Sequence, residues 1–380
     1  MVYLDNAATT WPKPPVVEKA MVDALREKGG NPGRGSHRLA LEAGRLVYHT
    51  REVLAGLFNV GDSSRVVFTI NCTEALNLAL KGLLKPGDHV LTSSMEHNSM
   101  IRPLKALSAS GVEYTAVLCN QRGELDPGDL ERGLQPNTRL IALTHASNVT
   151  GTLLPIAEAG VLARRHNLVL LVDAAQTAGV FPIDVEALNI DLLAFPGHKG
   201  LYGPPGTGGL YVRDGISLTP LRYGGTGSQS ESEEQPEIMP EMFESGTVNT
   251  VGIAGLGAGV EFLLQEGLDR IREHEAALLE QLRSGLAAIP GMIIYGPGRQ
   301  PQAPVLSVNI RGNDSGEVAF LLDRIHQVAV RPGLHCAALA HRTLGTTKQG
   351  TVRFGLSYFN TAEEIRQAIK AMEELSGELL

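Results

Sequence analysis

The chain has 380 residues, 43% hydrophobic and 19% charged, which is enough for a large buried core and about two domains. A formal net charge of −8 argues against nucleic acid as a partner. The first residues lack the basic and apolar segments of a signal peptide, and no apolar stretch approaches a bilayer span, so we expect a cytoplasmic protein with no membrane partner. Cys72, Cys119 and Cys336 are too few and too scattered for a disulfide framework or a zinc site, and no metal site is predicted.

A strand-to-helix turn near residue 70 is the first candidate ligand site along the chain. Residues 66–70 predict a strand, and residues 71–80 predict a helix directly after it. Such a turn offers backbone N–H groups and the positive end of the helix dipole to a phosphate, with the Thr73 hydroxyl as a further donor. A plain helix cap is the other interpretation. A strand at 89–92 brings His97 to the same edge, where it either stacks on a ring or fills a loop.

Two later strands carry the pair of residues on which the interpretation depends. Residues 169–172 form an apolar run that ends in Asp173, and residues 191–195 lead to Lys199. Open α/β sheets bind ligands at the carboxyl ends of their strands, so adjacent strands would bring both groups into one crevice. Pyridoxal phosphate requires this pair, because a lysine forms the imine and a carboxylate keeps the pyridine nitrogen protonated. Either residue alone is more often a solvated loop residue.

The alternation of elements predicts the fold class. Strands alternate with helices from about residue 15 to 250, which indicates an α/β fold with a mostly parallel sheet covered on both faces. The polar, glycine-rich segment 222–235 predicts a mobile loop near the site. Residues 255–289 predict one long amphipathic helix that leads to a smaller α+β domain, and residues 362–379 predict its last helix.

Several motifs, in order along nearly the whole chain, resemble one enzyme family. The chain is similar to the class V, fold-type I enzymes that use pyridoxal phosphate, and within them it resembles the group II cysteine desulfurases and selenocysteine lyases. The segments that carry the resemblance are 3–8, 144–151, 172–176, 197–199, 202–204, 331–337 and 352–361.

The resemblance also implies a division into two domains. Residues 15–252 would form the large cofactor-binding α/β domain. Residues 1–14 and 253–380 would form the small α+β domain, which carries the catalytic cysteine loop.

The resemblance implies a role for each residue around the cofactor ring. Lys199 would form the imine and act in catalysis, Asp173 would contact the pyridine nitrogen, and Gln176 would contact the ring hydroxyl. His97 would stack on the ring and is also a candidate catalytic residue.

A second implied group would bind the cofactor phosphate. It consists of Thr73 and His198, while Thr247 would reach the phosphate of the partner subunit. Cys72 is a further candidate cofactor-binding residue. This role of Thr247 implies a homodimer with sites at its interface. Pro196 departs from the family, in which a serine usually donates a hydrogen bond to the phosphate.

The implied substrate-binding residues are Asn148, Arg331 and Arg353. A planar guanidinium suits a carboxylate because it can donate two parallel hydrogen bonds. Cys336 would be the catalytic sulfur acceptor, although a buried, unreactive thiol is the commoner fate of a free cysteine.

The Cys336 thiol would need help to react. An unperturbed cysteine pKa of ~8.5 leaves only a few per cent thiolate at neutral pH, so His335, Arg331 or the substrate–cofactor adduct would have to favour the thiolate. The chain departs from the family at two further positions. Leu334, near Cys336, replaces a usual histidine, and Gly200 adds one residue after Lys199.

The resemblance implies a cysteine desulfurase that converts L-cysteine to L-alanine and transfers the sulfur to a persulfide on Cys336. A sulfur-acceptor protein would be its partner, and L-selenocysteine an alternative substrate. A selenocysteine lyase or a class V aminotransferase would use the same cofactor site, and the aminotransferase would not need Cys336. A non-catalytic sulfur-assembly scaffold is a further alternative, but it would have no use for Lys199 and Arg353.

Overall fold

In the computed structural model, which describes residues 1–33, 35–298 and 301–379, strands and helices alternate along most of the chain. The strands are β1 (Val2–Tyr3), β2 (Val66–Thr69), β3 (His89–Ser93), β4 (Glu113–Val117), β5 (Thr138–Thr144), β6 (Val169–Asp173), β7 (Leu192–Pro196), β8 (Gly208–Val212), β9 (Met292–Tyr295), β10 (Val305–Ile310), β11 (Val328–Ala329), β12 (Arg331–Gly333) and β13 (Thr351–Gly355). The helices are α1 (Pro15–Glu27), α2 (Arg38–Leu57), α3 (Cys72–Leu83), α4 (Asn98–Ser108), α5 (Pro127–Arg132), α6 (Ile156–Arg165), α7 (Thr250–Glu266), α8 (Leu268–Ala287), α9 (Ser315–His326), α10 (Ala338–Thr343) and α11 (Ala362–Leu379).

The larger sheet has the strand order β2-β8-β7-β6-β5-β3-β4. The strands from β7 to β4 are parallel, and β8 runs antiparallel to both β7 and β2. Strands β6 and β7 are buried along their whole length, which explains their unbroken apolar sequences. Leu170 and Val172 pack into one hydrophobic core and Leu171 into another, as alternation across the two faces of a sheet requires. The predicted α/β fold with a mostly parallel sheet is confirmed.

A smaller antiparallel sheet has the order β12-β13-β10-β9, and β1 pairs in parallel with β11. The core around these strands includes side chains of α8, α9 and α11. Val2 and Leu4, at the start of the chain, belong to the same core. The last helix was predicted at 362–379 and is found there. The domain boundaries at 14/15 and 252/253 stay a prediction.

The prediction of one long helix over 255–289 is wrong. Gly267 separates α7 from α8, and the two helices meet at a bend of 82°. Gly267 has a φ of +87°, which a residue with a side chain rarely adopts. Helix α7 packs against α1 and α2. No single helix in the described ranges is long and apolar enough to cross a membrane, and α7 with α8 meets that test only as a bent pair, by length and composition.

Candidate active site

A cavity of about 210 Å3 lies where the carboxyl ends of β5, β6 and β7 meet the smaller sheet. Most of the residues proposed from the sequence line it. They are Cys72, Thr73, His97, Asn148, Asp173, Gln176, His198, Lys199, Arg331 and Arg353. Cys336 and Thr247 do not line this cavity and are described separately below.

Asp173 and Lys199 face one cavity because they follow neighbouring strands, β6 and β7. The Oδ1 atom of Asp173 accepts hydrogen bonds from the Ala175 N–H at 2.9 Å and from the Cys72 thiol at 3.4 Å. Burial raises the pKa of Asp173, whereas the Ala175 N–H and the charge of Lys199 favour its carboxylate form. Burial, followed by the charge of Arg353, lowers the pKa of Lys199 to about 8. A lysine with this pKa is still mostly protonated near physiological pH, but its neutral fraction is far larger than at the ordinary lysine pKa of 10.5.

The amino end of α3 forms one side of the cavity. The Oδ1 atom of Asn71 caps the helix by accepting from the Glu74 N–H at 2.9 Å. In an α-helix the first N–H groups have no backbone acceptor, so those of Cys72 and Thr73 remain available to an anion. The Thr73 hydroxyl lies 2.7 Å from the hydroxyl of Ser99, which also lines the cavity. This end of the cavity therefore offers several neutral donors.

His97 caps α4 and forms another wall of the cavity. Its Nδ1 atom accepts from the Ser99 N–H at 3.0 Å, so a neutral ring carries its proton on Nε2. Burial, followed by the nearby charges of Lys199 and Arg331, lowers the pKa of His97 to about 4. The imidazole is therefore neutral at physiological pH and presents a flat, uncharged surface.

The segment before α1 lies against the Lys199 turn. The His198 carbonyl accepts from the Thr10 N–H at 3.2 Å, from the Thr9 hydroxyl at 3.1 Å and from Lys13 Nζ at 2.7 Å. Burial, followed by the charge of Lys199, lowers the pKa of His198 to about 4, and its buried Nδ1 has no partner among the described residues.

Gln176 is also held by the segment that precedes α1. Its side-chain amide donates to the carbonyl of Ala7 at 3.2 Å. Both residues line the cavity, so the N-terminal segment fixes part of its wall.

Arg353 is 1% exposed and is held by two acceptors. Its Nη2 lies 2.9 Å from the Asp5 carboxylate, and its Nη1 donates to the Asn148 carbonyl at 3.1 Å. Its Nε atom is buried and has no partner in the described part of the chain. The same holds for Oδ1 of Asn148, whose Nδ2 donates to the His335 carbonyl at 2.7 Å. Each of these two residues thus keeps one buried polar atom without a partner among the described residues.

Cys336 is exposed and lies in the loop between β12 and α10. Its thiol does not line the cavity but a neighbouring groove of about 420 Å3 between α3 and α4. Thr73, His97 and Ser99 line both the cavity and the groove. The Arg331 guanidinium donates to the Cys336 sulfur at 3.4 Å. The thiol therefore lies beside the cavity, next to a cation.

His335 does not assist this thiol, although it precedes Cys336 in the sequence. Its side chain is buried, and its Nε2 lies 2.8 Å from the Thr351 hydroxyl. Burial, followed by the charge of Arg353, lowers the pKa of His335 to about 2. Of the two side chains suggested as aids to the thiol, Arg331 is the one that contacts it.

Thr247 lies outside the cavity of its own chain. It is exposed, and its hydroxyl accepts from the Asn31 amide at 3.2 Å. A contact with the partner subunit's phosphate stays a prediction for this residue.

Sequence reasoning missed three residues at the site: Ser99, Asp5 and Glu96. Glu96 is fully buried and accepts from the Ser93 hydroxyl at 2.6 Å and from the Thr144 N–H at 2.9 Å, which ties together the ends of β3 and β5. Burial raises its pKa to about 8. The signal in the sequence for Glu96 is its position directly before His97, and the signal for Asp5 is its place inside the motif 3–8.

Comparisons with known proteins agree along the full length of the chain. A family model described as aminotransferase class-V matches residues 2–368. The chain is 39% identical over 383 residues to a probable cysteine desulfurase of Methanothermobacter thermautotrophicus, with 99% of this chain and 95% of that protein covered. It is 34% identical over 385 residues to a cysteine desulfurase of Klebsiella pneumoniae, with 99% and 93% covered.

Solved structures give the same result. The apo cysteine desulfurase of Thermococcus onnurineus matches with a TM-score of 0.93 and 34% identity, covering 99% of this chain and 95% of that one. The cysteine desulfurase CsdA of Escherichia coli matches with a TM-score of 0.88 and 30% identity, covering 100% and 95%. The resemblance noted in the sequence motifs is confirmed, and the chain belongs to the class-V aminotransferase family.

Proposed function

We propose that the chain is a cysteine desulfurase that uses pyridoxal phosphate, converts L-cysteine to L-alanine and carries the sulfur on Cys336. One observation carries the proposal: the cavity lined by Lys199, Asp173 and Arg353 adjoins a groove lined by Cys336. The exposed Cys336 thiol accepts a hydrogen bond from Arg331, which lines the cavity. The full-length similarity to cysteine desulfurases supports the same activity. An aminotransferase would have no use for the thiol.

The residues around the cavity fit pyridoxal phosphate. Asp173 has one oxygen fixed by Ala175 and Cys72, and the other has no hydrogen bond from a described residue, which leaves it for the pyridine nitrogen. The amino end of α3 and the unpartnered Nδ1 of His198 suit the phosphate, and neutral His97 suits the face of the ring. When bound, the cofactor supplies an electron sink for negative charge at the substrate Cα.

The substrate carboxylate has a donor ready for it. Asp5 and the Asn148 carbonyl hold the two terminal nitrogens of Arg353, whose guanidinium carries more N–H donors than these contacts use. A guanidinium fixed in this way can bind a carboxylate without first having to be ordered.

Lys199 is suited to move the proton at Cα. A pKa of about 8 means that its Nζ can accept a proton and later return it near physiological pH. At the ordinary lysine pKa the amine would be almost entirely protonated and could not act as a base.

Cys336 is suited to receive the sulfur. The guanidinium of Arg331 donates a hydrogen bond to the Cys336 sulfur at 3.4 Å, which holds the exposed thiol beside the cavity. The Sγ atom attacks the substrate sulfur, a new S–S bond forms, and the substrate C–S bond breaks as its electron pair goes to carbon. In this structure the thiol faces the groove, so the attack requires the loop between β12 and α10 to turn toward the cavity.

The Cys336→Ala variant tests this proposal. We expect the wild type to release alanine and sulfide from L-cysteine and to carry a persulfide on Cys336 that mass spectrometry detects. Cys336→Ala should release almost no alanine, because the sulfur has no acceptor, yet still bind L-cysteine. Its cavity residues Lys199, Asp173 and Arg353 are unchanged.

Cys119→Ala is the matched control. Cys119 is buried outside the cavity and groove, and burial raises its pKa to about 11, so its loss should leave the activity largely intact. Wild-type alanine production by Cys336→Ala would end the desulfurase proposal. Parallel incubation with L-selenocysteine, or with a keto acid and an amino donor, separates the lyase and aminotransferase alternatives.

A further inference from the structure

Two arginines, the half-buried Arg331 and the buried Arg353, face each other across a pair of strands. Arg331 on β12 and Arg353 on β13 are direct partners in the antiparallel register, and both line the cavity. Directly opposed residues of an antiparallel pair project from the same face, and like charges in these positions destabilise each other. The arrangement therefore needs a negative group to offset at least one of the two charges.

Each arginine has its own partner. Arg331 contacts the Cys336 sulfur, and Arg353 pairs with the Asp5 carboxylate at 2.9 Å. Asp5 is well placed to keep this contact because the main chain around it is fixed. The Gly355 N–H donates to the Leu4 carbonyl, and the Asn6 N–H donates to the Gly355 carbonyl.

We propose that Asp5 is a positioning residue for substrate recognition, which holds the Arg353 guanidinium in the cavity wall so that the guanidinium meets the α-carboxylate of the amino acid. This inference rests on the proposed function, since it concerns the substrate of that same site. It assigns to the first residues of the chain a part in choosing substrates with a carboxylate.

The contacts of Arg353 explain why Asp5 has this effect. Asp5 and the Asn148 carbonyl each accept a hydrogen bond from one terminal nitrogen, and together they fix the plane of the guanidinium. A guanidinium carries more N–H donors than these contacts use, so others remain for a carboxylate. A long arginine side chain that loses its charged anchor regains rotamer freedom, which binding must then remove. It would also turn away from Arg331 to reduce the repulsion between the two charges.

Binding of L-alanine and L-alaninamide separates this role from others. The two ligands share the amino group and the side chain, and only L-alanine has a carboxylate. We expect Asp5→Asn to weaken L-alanine binding by roughly tenfold or more, the scale of one charge-assisted hydrogen bond, and to change alaninamide binding less than about twofold. The measurement is the ligand-induced change in the absorption spectrum of the purified holoenzyme.

Two further variants complete the experiment. Asp5→Glu keeps the charge and should restore part of the preference for L-alanine, which a purely structural role would not predict. Asp269→Asn removes a carboxylate from an exposed ion pair with Arg272 and should change neither ligand's affinity. If Asp5→Asn does not fold, Asp5→Glu still tests the proposal by comparison with the wild type. Its longer side chain displaces the guanidinium, so it should bind L-alanine more weakly than the wild type and bind L-alaninamide equally well.

Three results would overturn the inference. The first is an Asp5→Asn protein that prefers L-alanine over L-alaninamide as strongly as the wild type does. The second is an equal loss of affinity for both ligands. The third is a gain in L-alanine affinity, which would mean that Asp5 only competes with the substrate. A failure of the proposed function looks different. In that case the wild type releases no alanine from L-cysteine, whatever the Asp5 variants do in the binding measurement.

Discussion

Burial removes positive charge from several side chains around the cavity. It lowers the pKa of Lys199 to about 8 and the pKa of both His97 and His198 to about 4. At neutral pH both imidazoles are therefore neutral and Lys199 is partly neutral, while the guanidinium groups of Arg331 and Arg353 stay fully charged. These two cations can attract an anionic substrate while the amine of Lys199 stays reactive.

Lys199→Ala should abolish covalent capture of the cofactor. We expect borohydride to fix pyridoxal phosphate to the wild type and not to this variant, as measured by the mass of the intact protein. Capture by the cofactor-free wild type should become faster as pH rises through about 8, because the lowered pKa of Lys199 makes the amine neutral above that value instead of above 10.5.

Lys81→Ala is the control for this prediction. Lys81 is exposed at the rim of the groove, and its removal should leave the captured mass unchanged. A Lys199→Ala protein that still gained the cofactor mass at the wild-type level would contradict the role given to this lysine.

At the scale of elements, two breaks in regular structure decide what neighbouring residues can do. His335 and Cys336 both have positive φ angles, 47° and 57°, in the loop after β12. This rare backbone conformation separates two consecutive side chains, so that His335 points into the core and Cys336 is exposed. The second break is Gly267, where the chain turns between α7 and α8.

Gly267→Ala should lower the melting temperature of the protein. Gly267 has φ +87° and ψ 123°, where an alanine side chain costs ~1–3 kcal/mol. Gly377→Ala is the opposite case, because Gly377 lies inside α11 with open space around it, and alanine should stabilise that helix by up to ~1 kcal/mol. Calorimetry of both variants checks the prediction, and equal shifts of the melting temperature would contradict it.

The pairing of Asp173 with Lys199 could be predicted from the sequence because apolar strands and their carboxyl ends follow a simple rule. The helix break at Gly267 could not, because apolar residues keep a helical spacing on both sides of it. The direction of the His335 side chain depends on positive φ angles that cannot be predicted from the residue types at these positions. The Asp5 contact with Arg353 joins residues 348 positions apart, and no pattern in one sequence relates them.

At the scale of the whole molecule, the site of a single chain lacks one of its proposed groups. Thr247 is exposed and contacts Asn31 instead of the cavity. We therefore expect a homodimer in which Thr247 reaches the partner subunit's cofactor phosphate. Thr247→Ala should weaken cofactor retention by ~1.5–3 kcal/mol, the value of one hydrogen bond to a charged group.

Light scattering and cofactor titration test this expectation together. Thr347→Ala, at another exposed threonine, is the control and should bind the cofactor as the wild type does. An active monomer, or a Thr247→Ala protein with unchanged cofactor affinity, would rule out the shared site.

The pairing of β1 with β11 has a consequence for the order in which the protein is made. Synthesis proceeds from the first residue to the last, so β2 to β8 and both of their cores can form before Arg353 exists. Strand β1 meanwhile has no strand partner until β11 has been made. A chain interrupted before β13 would already contain the groups proposed for the cofactor and still lack Arg353, so binding of the amino acid would require that synthesis has passed β13.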